Sequence, residues 1–321
     1  MTLLCPLEMS RAAARAEPRP TRSLALPDIA RHAGSVHNPT VIRFQAVPAP
    51  DFNLEKTLCS GQVFQWTPQG RGFVGAISEN LVYLEQAGAS IQVPAEHAKL
   101  VAHYLALDHP LPAILQTFPD DPVIRVAMEF AQGLRIIRQP PWECLAAFLT
   151  SPLKQVRQIQ AISLAIRKRF GRRLRRGEFE AFSYPRPEEL AEIRLEKLLE
   201  CKLGFRARNL LASAKMVASG GVDLEALRHC SAEEARRVLC ELPGVGEKIA
   251  NCVLLFAYER LDAVPIDVWI GRVLNEVYFA GRAKVPLREL KSFSAKYFGP
   301  YAGYAQQYLF HHWRLTYRRR G

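Results

Sequence analysis

Two residues in this sequence have the types and setting for covalent chemistry on a sugar: Lys248 and, nineteen positions on, Asp267. Lys248 follows Gly244-Val245-Gly246-Glu247 and opens a stretch in which Ile249, Ala250, Val253, Leu254 and Ala257 recur at helical spacing. In the first turn of a helix the dipole disfavours a cation and so favours the neutral amine, which is a nucleophile. Asp267 ends Ala263-Val264-Pro265-Ile266-Asp267, a proline-stiffened loop. An amine and a carboxylate brought together can attack an anomeric carbon and stabilise the positive charge that develops on the sugar. Each also has a plain reading: a solvated lysine at a helix start, and an aspartate capping the next helix.

The elements that must position them can be read around the lysine. Ser231 to Cys240 reads as a helix, with Ser231 as N-cap and Glu234 three residues on. Leu242 to Gly246 is a tight turn, with Gly244 and Gly246 both free to take positive φ. A second helix starts at Glu247, so residues 231–258 form a helix-hairpin-helix. Unpaired N–H groups and the positive end of the helix dipole at that turn suit a phosphate. Cys252 lies one turn after Lys248 on the same face, where a buried core cysteine is the ordinary reading.

Composition narrows the partner. The 321 residues include 43 Lys and Arg against 31 Asp and Glu, a net charge of +12. That charge points to a polyanion, with nucleic acid as the natural candidate; a merely basic protein is the alternative. No apolar run approaches the roughly 20 residues of a membrane span, so no membrane partner is expected. Seven cysteines at scattered spacings argue against a disulfide framework and for a reducing, intracellular setting. A monomer is expected.

Along the chain, residues 1–40 read as a disordered basic extension, with Arg11, Arg15, Arg19, Arg22 and Arg31 among Ala, Pro and Ser. A transit segment or a start assigned too far upstream would look alike. Residues 41–132 read as an antiparallel sheet domain with helices. Phe52 to Leu54 alternates, Gly72 to Ile77 and Leu81 to Leu84 bracket a turn, and Ser90 to Val93 closes the series. From about Lys99 the chain reads as helical, including Tyr104–Asp108, Gly133–Gln139 and Trp142–Leu149 with Pro141 in a first turn. Residues 133–321 make the helical domain. Arg167 to Arg176 is the densest positive run, either a track for phosphates or a solvated loop. Gln306 and Phe310 are four apart and share a helix face.

Several stretches together resemble the 8-oxoguanine DNA glycosylases with lyase activity, in the helix-hairpin-helix superfamily of endonuclease III. They are Ser60-Gly61-Gln62-Val63-Phe64-Gln65-Trp66, Leu203-Gly204-Phe205-Arg206-Ala207-Arg208, the hairpin with Lys248, and Phe298-Gly299-Pro300-Tyr301-Ala302-Gly303 running on to Phe310. The resemblance covers about residues 43–317. It implies an α+β fold, with an antiparallel sheet followed by two helical sub-domains and a cleft between them. It implies a duplex-DNA partner containing an oxidised purine, extrusion of the damaged nucleotide, attack by Lys248 at C1′ assisted by Asp267, and β-elimination of the 3′ phosphate. The compartment would be the nucleoid in a bacterium or the nucleus in a eukaryote.

The resemblance also assigns roles. The carbonyl of Gly61 would accept the N7–H that only the oxidised base carries, although the residues alone suggest a glycine bulge. Gln306 would bind the guanine Watson–Crick edge, Phe310 would stack on the base, and Cys252 as a thiolate would pair with the Lys248 ammonium. Phe205 would wedge against the neighbouring pair and Arg206 would contact the orphaned base. Gly244 and Gly246 would sit at the phosphate, with Trp269 and Arg272 nearby. No cofactor is implied: the four-cysteine cluster of iron–sulfur relatives is lacking, and only a structural cation at the hairpin carbonyls is allowed for. Trp269 stands where eukaryotic members have a histidine, and two more positions depart from their pattern. Leu153 replaces the first of a run of asparagines and Gln158 replaces an arginine that reads cytosine, which leaves Gln155 as a candidate polar wedge. A glycosylase for other damaged purines and a non-catalytic DNA-binding hairpin are the alternatives.

Overall fold

In the computed structural model, residues 42–280, 282 and 285–317 are described; the extension expected over 1–40 lies outside them. Five antiparallel strands form the N-terminal sheet: β1 (Phe44–Pro48), β2 (Thr67–Gln69), β3 (Gly72–Ile77), β4 (Asn80–Ala87) and β5 (Ser90–Pro94), in the order β1-β5-β4-β3-β2. The turn between β3 and β4 is where the alternation predicts it, with Ile77 opposite Asn80. Alternate residues of these strands, including Phe73, Val82, Leu84, Ile91 and Val93, bury one face with Trp66 and Tyr104.

Two local readings change. Phe52 to Leu54 is not a strand: Asn53 Oδ1 accepts the Lys56 N–H at 2.9 Å and caps helix α1 (Leu54–Cys59). Gly133 to Gln139 is not a helix but a largely buried irregular segment that starts at a turn with Gly133 at φ +80. Its backbone is satisfied from elsewhere, with the Ile137 N–H donating to Gln62 Oε1 and the Arg135 carbonyl accepting from Gln62 Nε2.

The helical part follows as α2 (Ala98–Tyr104), α3 (Leu111–Gln116), α4 (Pro122–Phe130), α5 (Pro141–Leu149), α6 (Val156–Phe170), the hairpin β6 (Arg173–Arg176) and β7 (Phe179–Phe182), and α7 (Pro187–Ala191), α8 (Leu195–Leu199) and α9 (Arg206–Ala218). It ends with α10 (Ala232–Glu241), α11 (Glu247–Ala257), α12 (Val268–Val273), α13 (Leu287–Phe298) and α14 (Ala302–Thr316). The sequence reading groups α3 and α4 with the sheet, but Leu111, Ile114, Ile124 and Ala127 are buried in the helical core. Their apolar faces pack away from the sheet, and α4 lies against α14.

Two contacts set the frame around Lys248. The rings of Phe148 on α5 and Phe256 on α11 stack at 5.5 Å between centroids. A Cβ on Gly303 would stand 2.4 Å from Leu255 Cδ1 and 2.7 Å from the Ala263 carbonyl oxygen. Only glycine lets α14 cross so close to α11 and the loop that leads to Asp267.

Candidate active site

The hairpin forms as the sequence predicts. Ser231 Oγ accepts the Glu234 N–H at 3.1 Å and starts α10. In the turn Gly244 has φ +82, whereas Gly246 is extended at φ −99 and serves as N-cap of α11. Positive φ is therefore used at one glycine, not both. Gly246 has open space where a Cβ would be, which lets another backbone approach the start of α11. In the turn the Leu242 carbonyl accepts the Val245 N–H at 3.0 Å and the Pro243 carbonyl accepts from Ser213 Oγ at 3.1 Å.

Lys248 and Asp267 open into one cavity of about 1980 Å³, which lies between the sheet-side loop and the helical core. The half-buried Lys248 side chain is held on three sides. Its Nζ donates to Ser151 Oγ at 3.2 Å and stands 5.3 Å above the Phe148 ring. It also hydrogen-bonds the buried Cys252 thiol. The Ser151 hydroxyl donates its own proton to the Phe148 carbonyl at 2.7 Å, so toward Nζ it is an acceptor. Asp267 caps α12, with Oδ1 accepting the Ile270 N–H at 2.9 Å. Burial pushes its carboxyl above the usual carboxylate range, against the pull of that bond and of the Lys248 charge. The loop before it is tied to α11, since Asn251 Nδ2 donates to the Val264 carbonyl at 3.2 Å.

Cys252 departs from the expected ion pair. Burial pushes the thiol up to about 11, and the neighbouring ammonium only partly offsets this. At neutral pH it is a thiol beside the lysine, not a thiolate.

On the opposite wall Gly61 packs directly against the Phe310 ring. Gly61 has φ +89, and a Cβ there would stand 3.1 Å from both Phe310 Cε1 and Val156 Cγ2. The loop is clamped to α14, where Gln307 Nε2 donates to the Ser60 carbonyl at 3.2 Å and an Arg314 nitrogen donates to the Cys59 carbonyl at 3.0 Å. Arg314 also lies over the outer face of Phe310, 5.7 Å from its centroid. Gln306 is only 4 % exposed and lines the cavity, and its Oε1 has no hydrogen-bond partner. A buried amide oxygen without a donor is costly unless a ligand supplies one. Beside it, burial and neighbouring cations push the His311 imidazole down to about 3, so it is neutral.

Residues 45–145 match the N-terminal domain of 8-oxoguanine DNA glycosylase, and residues 155–295 match the HhH-GPD superfamily base excision DNA repair proteins. The chain belongs to the 8-oxoguanine DNA glycosylase family. A probable N-glycosylase/DNA lyase of Methanothermobacter thermautotrophicus is 29% identical over 308 residues, covering 84% of this chain and 96% of that protein. The N-glycosylase/DNA lyase OGG1 of Arabidopsis thaliana is 28% identical over 288 residues, covering 81% and 77%. The 8-oxoguanine glycosylase/lyase of Clostridium acetobutylicum, solved with double-stranded DNA containing cytosine opposite 8-oxoguanine, superposes with a TM-score of 0.78 at 26% identity, over 84% of this chain and 97% of that one.

In this glycosylase fold the cavity gathers Gly61, Gln155, Gly246, Lys248, Cys252, Asp267, Trp269, Gln306 and Phe310. It does not gather four other candidates. Gly244 is in the turn, packed against Asn209. Phe205 projects from the surface, 59 % exposed. Arg272 lies over the rings of Trp269 and Tyr317 at 5.5 and 5.2 Å and faces Glu276 at 3.8 Å. Arg206 is only 5 % exposed, and its Nε donates to the Pro152 carbonyl at 2.7 Å. Sequence reasoning gave no role to Ser151, Gln307 or Arg314. Gln307 lies within the stretch running from Phe298 to Phe310 and Ser151 two residues before Leu153, but only the fold shows which groups they meet.

Proposed function

We propose that the protein excises 8-oxoguanine from duplex DNA and then cleaves the strand, with Lys248 as nucleophile and Asp267 as electrostatic partner. The observation that supports this best is one cavity holding an amine, a carboxylate and an unsatisfied guanine-type acceptor. Gln306 Oε1, buried without a partner, would accept an N–H from a guanine Watson–Crick edge. A binding-only hairpin would have no use for it.

The flipped base enters the cavity beside Gly61 and Phe310, the Phe310 ring moving off Gly61 to lie on its face with the Gly61 carbonyl toward N7. Guanine has a lone pair at N7 and 8-oxoguanine an N–H, so a carbonyl there accepts from one and repels the other. The Lys248 amine attacks C1′ as the glycosidic bond breaks, and the electron pair of that bond leaves with N9 of the base. Asp267, ionised, faces the positive charge that develops on the sugar. A proton passes from the attached nitrogen to O4′ as the ring C1′–O4′ bond opens, leaving an iminium between Nζ and C1′, while the departed base takes a proton from water. Loss of a C2′ proton then expels the 3′ phosphate, and water later releases Lys248. No step is assigned to a metal or cofactor. The protein acts as a monomer in this scheme, since one chain supplies every group named.

The test is release of free base, measured by mass spectrometry, from duplexes carrying 8-oxoguanine or guanine at one position. Release of 8-oxoguanine only, reduced at least about tenfold by Gln306→Ala, is the expected result. Release of neither base, or equal release of both, contradicts the assignment.

A further inference from the structure

On the α1 side the cavity is lined by Lys56, Phe130, His311 and Arg314, none of which the excision scheme uses. Gln307, His311 and Arg314 follow one another at helical spacing on one face of α14. The first and last of them donate to the Ser60 and Cys59 carbonyls at the end of α1, so His311 between them is turned toward α1 as well. Its ring packs on Phe130, the last residue of α4, at 5.5 Å between centroids. His311 is only 4 % exposed, yet its Nδ1 has no hydrogen-bond partner among the described residues. A buried imidazole nitrogen in that state is costly unless a ligand meets it. The surroundings set the sign of that ligand. Burial keeps the imidazole neutral, and the charges of Arg314 and Lys56 push the same way. A field that repels a proton attracts an anion. The Lys56 ammonium is partly desolvated, with exposed Glu55 as its electrostatic neighbour, and it forms no ion pair among the described residues.

We propose that Lys56 and His311 form a binding site for a phosphate monoester, with Arg314 adding positive charge beside it. The source of that phosphate rests on the excision reading above: it is the 5′-phosphate end that strand cleavage creates. β-Elimination breaks the bond from C3′ to the phosphate oxygen, and the electron pair leaves on that oxygen. The downstream strand then ends in a monoester of nearly two negative charges. A neutral imidazole can carry its proton on Nδ1 and donate it to one phosphate oxygen, while the ammonium donates to another. Burial separates the kinds of phosphate. One inside a continuous strand has a nucleoside on both sides and cannot be drawn into so enclosed a position. A terminal or free phosphate has one side open and can enter. The new end is made in the cavity that these residues line. The site therefore ignores uncleaved backbone and holds the product.

Nuclear magnetic resonance of the imidazole nitrogens in the isotope-labelled full chain tests this, with the His311 signal identified by its absence from His311→Phe. The probes are inorganic phosphate, a duplex with a one-nucleotide gap edged by a 5′-phosphate, and the same gapped duplex with a 5′-hydroxyl. None of them requires the protein to excise a base. Inorganic phosphate and the 5′-phosphate duplex are each expected to move the His311 signal, and the 5′-hydroxyl duplex is not. Lys56→Ala should weaken binding of inorganic phosphate by about tenfold or more, and Lys56→Arg, which keeps the charge, should restore most of it. A His311 signal that neither phosphate moves, or an affinity that Lys56→Ala leaves unchanged, would overturn the site. A response to inorganic phosphate alone would uphold the site but overturn the strand end as its source. Failure to release 8-oxoguanine in the base-release assay would instead remove the excision reading, with the inorganic phosphate result still standing for the site.

Discussion

The Arg167–Arg176 run and the Ser151–Gln155 lip stand in contrast. The run is the most positive stretch of the sequence, yet its arginines are largely neutralised within the protein. Arg167 forms a buried pair with Glu143 at 2.5 Å, and Arg169, Arg172, Arg173 and Arg176 pair with Glu200, Glu79, Glu180 and Glu96. The lip has little charge, but it holds a strained exposed leucine, a clamped carbonyl and the hydroxyl that grips Lys248. Charge density in a sequence therefore does not mark where DNA chemistry occurs here. Strain and unsatisfied groups at the cavity mark it better.

Substitutions can sharpen that contrast. The largest effect away from the nucleophile is expected at Asp267. Asp267→Asn should lower single-turnover excision by about 10²–10³-fold, because Asn keeps the cap but loses the charge. The pH dependence has a definite sign. A carboxyl raised by burial is still protonated above the ordinary aspartate range, so the wild-type rate should fall with pH earlier than that range implies. For stability the direction is opposite. Between the unfolded and the raised folded value the native state binds more protons, so this group's contribution weakens as pH rises. Asp267→Asn should therefore unfold no earlier than wild type at pH 7, as thermal scans would show.

Glu143→Ala leaves Arg167 buried and unpaired. Denaturant titration should show a loss of about 3–5 kcal/mol, whereas a merely solvated run would lose almost nothing. At Gly61 the effect should be on the site more than on the fold. Gly61→Ala strains a φ of +89 and pushes into Phe310 and Val156, with about 1–3 kcal/mol of destabilisation and a larger loss of base release. The smallest effect is expected from replacing Arg172 and Arg173 together by alanine. Because both are paired internally, the slope of DNA affinity against salt should change by less than about one unit. A drop of about two would show that the run does track phosphates.

The sequence made the hairpin, the cap at Ser231 and the β3–β4 turn legible, because each has a local chemical signature. It also placed Lys248, Asp267, Gln306 and Phe310 in one site, through motifs spread over the chain. Other features depended on distant partners. Gly133 to Gln139 has helix-compatible residues, but its backbone is engaged by Gln62. In the same way α3 buries its apolar face in the helical core and α4 packs on α14. The Cys252 thiol, the Arg206 clamp and the pairing of the arginine run all turn on burial and on neighbours far apart in sequence. No spacing rule reveals these.

The central claim is that the Lys248 amine becomes covalently bound to the sugar during excision. Borohydride reduction during reaction with an 8-oxoguanine duplex, followed by peptide mapping, tests it most directly. The account predicts a protein–DNA adduct on Lys248 that Lys248→Gln abolishes without lowering the melting temperature. An adduct on another residue, or strand cleavage by Lys248→Gln at the wild-type rate, would contradict it.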